Sequence, residues 1–267
     1  MNKKVLCVGM KRSGSTLQFN IARLLLESQE SVINLGYVQK QNLKNKLKAY
    51  GKNSKNLIVK CHNPDWNYVG EFACENKILY IYRDLRSVYA SMKLRTNVSL
   101  NDFIYQMKKD LILYSKFEND NRIFVQKYEE IYRNERHAIY DISNYLEINS
   151  IDTLLVEDIV EKVSISAHSN GNFLTLDGNM IITWLFRMLI KMTPKSIIAF
   201  LKRIMFTKKI VAFIKSLVTV NSKTLMYSDH ISKTKGKPDA WKEILSNEEV
   251  CMIELEFNGW LVKHGYL

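Results

Sequence analysis

The stretch VGMKRSGSTL, Val8 to Leu17, decides how the rest of the chain is read. Gly9, Gly14 and Thr16 keep the spacing G-x-x-x-x-G-K-[ST] of a phosphate-binding loop, but Ser15 stands where that pattern has its lysine. Just before it, KVLCVGM (Lys4–Met10) is a short apolar, β-rich run that reads as a buried strand. Just after, STLQFNIARLLLES (Ser15–Ser28) repeats apolar residues at Leu17, Ile21, Leu24 and Leu25 from a serine start, so it reads as a helix. A strand, a tight turn and a helix start aim backbone N–H groups at one spot and favour an anion there. Gly14 allows the anion to come close. The lysine that clamps a nucleoside triphosphate is missing, so the loop is built for a different anion.

Outward from the loop the pattern repeats. SVINLG (Ser31–Gly36), NLIVKCH (Asn56–His62), KILYIYR (Lys77–Arg83) and RIFVQKYEEI (Arg122–Ile131) read as four further strands. Helical periodicity lies between them, notably over Leu85–Leu94 and Leu100–Phe117. This alternation predicts an α/β fold, a parallel β-sheet flanked by helices, with ligands at the strands' C-terminal ends. The strand ILYIY ends in Arg83 followed by Asp84. A cation therefore stands where a metal-dependent nucleotide hydrolase has a metal ligand, and Asp84 reads as the cap of the next helix. The expected site is basic, holds no metal, and suits a nucleotide with a separate phosphate on its ribose.

Composition sets the bounds. The 267 residues are 46% apolar and 11% aromatic, which is globular rather than disordered. The formal charge of +12 calls for an anionic partner. Cys7, Cys61, Cys74 and Cys251 form no C-x-x-C pair, so no zinc or redox site is implied and a reduced, cytoplasmic setting is expected. The apolar stretch at the N-terminus is too short for a signal peptide.

Together these elements resemble the sulfotransferases that use 3′-phosphoadenosine 5′-phosphosulfate (PAPS). Arg12-Ser13-Gly14-Ser15-Thr16 is similar to that family's 5′-phosphosulfate loop. YRDLRSVYAS supplies Arg83 and Ser91 at the eight-residue spacing of its 3′-phosphate motif. IVKCH resembles its K-[TS]-H strand, KYEEI its Y-E-[DE]-[LMI] segment, and TKGKPDAW its R-K-G-x-x-G-D-W segment. The resemblance implies a P-loop-like sulfotransferase fold and transfer of a sulfuryl group from PAPS to an acceptor hydroxyl, leaving adenosine 3′,5′-bisphosphate. It implies that Arg12, Ser13, Gly14, Ser15, Thr16, Arg83, Ser91, Lys235 and Gly236 hold the donor. It also implies that His62 takes the acceptor's proton, while Lys60 and Arg12 stabilise charge on the transferring and leaving groups. Histidine suits that task because its pKa lies near neutrality. Lys60 and His62 are two apart and face one side of an extended segment. There are departures too. Leu17 replaces an aromatic used against adenine, Thr234 replaces the arginine of R-K-G, and Leu85 replaces a common proline.

The chain reads as one domain, residues 1–267, with an insertion at 178–228. From Gly178 to Ser228 there are nine basic residues and no acidic one, set among large apolar residues. Arg187, Lys191 and Lys195 recur every four residues, a basic helical stripe. Three readings of the insertion stand side by side: helices lying on an anionic membrane, a helical cap over the site, and an ordinary subdomain with solvated lysines. A second stretch, Lys40–Lys55, has six lysines and no acid, and reads either as a solvated loop or as a guide for an anionic acceptor. The expected acceptor is a hydroxyl-bearing small molecule, sugar or glycolipid. A nucleic-acid partner is not expected. The competing classes are a P-loop kinase or NTPase, and a non-catalytic anion-binding module at a membrane surface.

Overall fold

The structure, a computed structural model, describes residues 3–50, 55–149, 151–163, 234 and 236–267. The elements run β1 (Lys4–Gly9), α1 (Ser15–Glu27), β2 (Val32–Tyr37), α2 (Lys40–Tyr50), β3 (Asn56–Cys61), α3 (Trp66–Phe72) and β4 (Lys77–Tyr82). After these come α4 (Leu85–Thr96), α5 (Leu100–Glu118), β5 (Ile123–Lys127), α6 (Tyr128–Arg133), α7 (Glu135–Tyr145) and α8 (Thr153–Val163). Nearer the C-terminus lie a 3₁₀ turn (Pro238–Ala240), α9 (Trp241–Ile244), α10 (Asn247–Glu256) and α11 (Asn258–Lys263). The predicted insertion, residues 178–228, and Lys235 fall outside the described residues.

The five strands form one parallel sheet in the order β2-β3-β1-β4-β5. Strand alternation divides the core. Leu6, Val8, Leu57, Val59, Ile78 and Tyr80 face one layer, with α3, α4, α5, α10 and α11 packed against them. Val5, Cys7, Ile58, Leu79 and Ile81 face the other, against α1, α6, α7 and α8. Strands buried on both faces must be apolar throughout, which is why KVLCVG and KILYIY carry no interior charge. Because β3 and β4 flank β1, the loops after these three strands meet above its C-terminal end, where ligands bind in open α/β sheets.

One expectation is corrected. The fifth strand ends at Lys127, and Tyr128–Ile131 turn into α6; Lys127 is extended at the cap, and Glu129 and Glu130 in the first turn suit the helix dipole. α1 begins at Ser15, as expected, and its cap is Gly14, in the left-handed region at φ 88°. Asp84 caps α4 by accepting from the Arg86 N–H, and the same carboxylate pairs with the Arg86 guanidinium at 2.8 Å.

The C-terminal segment is stitched into the fold by its polar groups. Arg86 reaches Glu254 at 2.5 Å and donates to the Tyr266 carbonyl at 2.9 Å, with its guanidinium over the Trp241 ring. Tyr266 donates to Glu129 at 2.7 Å, and Ser87 donates to the Pro238 carbonyl.

Candidate active site

Each strand end delivers one part of the site. After β1, the chain turns through Met10–Gly14. Ser13 is fully buried, and its hydroxyl donates to the carbonyls of Met10 (2.7 Å) and Ile81 (3.1 Å). The Ser13 side chain thus ties the loop to β4. Gly14 is required twice, by its positive φ and because a Cβ there would run into the Tyr128 ring. Ser15 and Thr16 begin α1, where N–H groups have no intrahelical acceptor. The Ser15 hydroxyl makes no hydrogen bond among the described residues.

β3 delivers Lys60 and His62. Lys60 is buried, and its ammonium donates to Thr16 Oγ1 at 2.7 Å. Burial, reinforced by the nearby Arg12 charge, lowers its pKa from 10.5 to about 8. His62 Nδ1 lies 2.9 Å from the Gly9 carbonyl. A carbonyl only accepts, so Nδ1 carries the proton and Nε2 is the basic nitrogen of the neutral ring. The Tyr37 ring, at the end of β2, sits 5.6 Å from the imidazole.

β4 and α4 deliver Arg83 and Ser91, but not as a pair. Arg83 is buried; its Nη2 donates to the carbonyls of Gly236 (3.1 Å) and Lys237 (3.0 Å), and its guanidinium lies 4.3 Å from the Tyr128 ring centre. Its Nε is buried with no partner among the described residues, an orphan donor. Ser91 instead accepts from Arg12 Nε at 2.9 Å, so the loop arginine and the helix serine are joined directly. Tyr128 completes the cluster by donating to the Gly236 carbonyl at 2.9 Å. Gly236 is buried with φ 74°, a conformation suited to glycine.

The electrostatics are one-sided. No carboxylate forms an ion pair with Arg12, Lys60 or Arg83 among the described residues. Burial first, and then Arg95 and Arg83, push the Arg12 guanidinium below its ordinary range. Two groups were missed in the sequence. Arg95, at the end of α4, adds to the positive field around Arg12. Tyr128 is the surface on which Arg83 and Gly14 pack; KYEEI was the only signal pointing to it. Asp84, next to Arg83 in sequence, is committed to Arg86.

A loop without its lysine, a strand-end arginine and a lysine–histidine strand define the class of PAPS-dependent sulfotransferases. Residues 2–178 match the family described as the sulfotransferase domain, and the chain belongs to that family. No curated protein matches the chain. The fold is similar to a mouse sulfotransferase complexed with PAP, at 13% identity and TM-score 0.58, over 97% of this chain and 84% of that one. It is also similar to retinol dehydratase in complex with retinol and PAP, at 14% identity and TM-score 0.56, over 98% and 82%. A second structure of retinol dehydratase, with androsterone and inactive cofactor PAP, gives 13% identity and TM-score 0.55 over 97% and 80%.

Proposed function

We propose that this enzyme moves the sulfuryl group of PAPS to a hydroxyl on a sugar or glycolipid and releases adenosine 3′,5′-bisphosphate. The observation that carries the reading is the cationic set Arg12, Lys60 and Arg83 at the C-terminal ends of adjacent strands, which has no ion-pair partner among the described residues. Ionised groups without counter-ions are costly to bury, so the set calls for an anionic ligand. The residues fit the donor. The first-turn N–H groups of α1, with Lys60 and Arg12, suit its 5′-phosphosulfate. Arg83, with its orphaned Nε, suits the 3′-phosphate alongside Ser91, Gly236 and Lys235. PAP, the ligand of the similar solved structures, is the product this reaction would leave.

His62 acts as general base. With Nδ1–H held by the Gly9 carbonyl, Nε2 takes the acceptor's proton as the acceptor oxygen bonds to sulfur and the sulfur–phosphate oxygen bond breaks. Lys60 and Arg12 neutralise the charge that moves onto the leaving phosphate. Thr16 and Ser91 keep those two cations in place. The polar, basic helix α2, which follows Tyr37 beside His62, supports a hydrophilic acceptor. The basic, apolar run at 178–228 supports peripheral contact with an anionic membrane. No described helix is long and apolar enough to cross one.

The test is thermal stabilisation by adenosine 3′,5′-bisphosphate compared with ATP plus Mg²⁺. A ligand at 100 times its Kd adds about 2.7 kcal/mol. The expected result is a metal-independent shift with the bisphosphate. A larger shift with ATP and Mg²⁺ would refute the assignment.

A further inference from the structure

From Ser31 to Pro64 the chain contains seven lysines and no aspartate or glutamate. This is the whole crossover from β2 through α2 to the end of β3, and it finishes at the catalytic pair Lys60 and His62. The structure makes its middle a helix. Leu43 and Leu47 are buried and anchor α2, while Lys40, Lys44, Lys46 and Lys48 are exposed. Lys40, Lys44 and Lys48 are four apart, so they stand in one row, each step about 6 Å along the axis.

That row works against the helix that carries it. Like charges at i and i+4 repel, and Lys40 in the first turn opposes the helix dipole. No acid lies in the first turn, and none of the four lysines forms an ion pair among the described residues. The row also begins at the active site. Tyr37, three residues before Lys40, contacts the His62 ring, and the Val38 N–H donates to the Lys60 carbonyl at 2.8 Å. The Lys40 charge is felt at Cys61, between the two catalytic residues.

We infer that Lys40, Lys44 and Lys48 form a binding track for an acidic oligosaccharide acceptor, one bearing carboxylate or sulfate groups along its length as well as the hydroxyl delivered to His62. Charge complementarity selects the anionic chain, and the direction of α2 away from the site lets one end react while the remainder lies on the row. The inference rests on the sulfuryl-transfer reading and narrows its acceptor.

The experiment titrates the full chain with a sulfated dextran oligosaccharide and with neutral dextran of the same length, at low and moderate salt. The variants are K40Q/K44Q/K48Q and a control with equal charge loss on α5, K108Q/K109Q/K116Q. Glutamine is a good helix former, so α2 is retained. The sulfated chain should bind the wild type at least tenfold more tightly than the α2 variant, and the control within about twofold of wild type. The slope of log affinity against log salt should flatten by about 2 in the α2 variant, roughly 0.7 for each lost contact. Adenosine 3′,5′-bisphosphate should bind all three proteins alike. An unchanged α2 variant, equal binding of neutral dextran, or tighter binding of an oligodeoxynucleotide of equal charge would overturn the track alone. Failure of the wild type to bind adenosine 3′,5′-bisphosphate would instead overturn the donor reading beneath it.

Discussion

Lys60 gives the proposed donor site a pH dependence that can be worked from its surroundings. It is 7% exposed, its partner is the neutral Thr16 hydroxyl, and its pKa falls from 10.5 to about 8. That difference penalises the charged form by roughly 3 kcal/mol. The folded pKa lies below the unfolded one, so the penalty is complete below pH 8 and is relieved as pH rises from 8 towards 10.5. The unliganded fold should therefore gain stability across that window. A phosphate-bearing ligand reverses the balance by supplying the missing counter-charge. At pH 9 only about a tenth of the free protein has Lys60 charged, whereas the complex holds it charged, so binding should take up about 0.9 proton. Affinity for adenosine 3′,5′-bisphosphate should fall about tenfold between pH 7 and pH 9 for the same reason. Isothermal titration in two buffers of different ionisation heat reads both quantities. Lys60→Arg keeps a cation at pH 9 and should abolish the uptake. No proton uptake at pH 9, or the same uptake in Lys60→Arg, would refute the reasoning.

Other perturbations separate the remaining roles. Arg83→Ala should weaken adenosine 3′,5′-bisphosphate by roughly 1.5–3 kcal/mol, far more than it weakens AMP. Equal losses for the two ligands would move the 3′-phosphate elsewhere. His62→Ala should reduce turnover about 10²–10⁴-fold while leaving bisphosphate affinity intact, since the base acts on the acceptor; near-full activity would assign the proton to another group. Gly14→Ala adds a Cβ against Tyr128 at a left-handed position and should destabilise the fold by about 1–3 kcal/mol, read as a lower Tm. Gly14→Ala with Tyr128→Ala should cost less than the sum of the two single changes, and strict additivity would mean that the two residues do not touch. Wild-type protein should sediment with anionic vesicles and not neutral ones, and replacing Lys202, Arg203, Lys208 and Lys209 with glutamine should reduce this. No sedimentation at low salt would end the membrane proposal.

The sheet was legible because its strands are buried on both faces and so carry unbroken apolar runs, as KILYIY does. Lys60, His62, Arg83 and Arg12 were legible because each sits where a strand ends or a turn begins. Three features were hidden for physical reasons. α2 shows only Leu43 and Leu47 at helical spacing among lysines, a signal too thin to separate helix from solvated loop. The buried Ser13 hydroxyl looks identical in sequence to an exposed one, and one of the two carbonyls that hold it inward, that of Ile81, lies 68 residues away. Tyr128 acquires its place from Gly14 and Gly236, contacts that no local pattern records. The fifth strand was read too long because YEEI carries apolar spacing that also suits the start of a helix.

The stitching of the C-terminal segment also sets a schedule. Arg83 is fixed by the carbonyls of Gly236 and Lys237, 153 and 154 positions later, and Tyr128 by Gly236, 108 positions later. At roughly 5–20 residues per second of synthesis, the last of these partners follows Arg83 by about 8–30 s. Until then the sheet can assemble, but its nucleotide end lacks the carbonyls that aim Arg83. A nascent chain thus carries a half-made cationic cluster, and the contacts that aim Arg83 arrive only once Gly236 and Lys237 have been made.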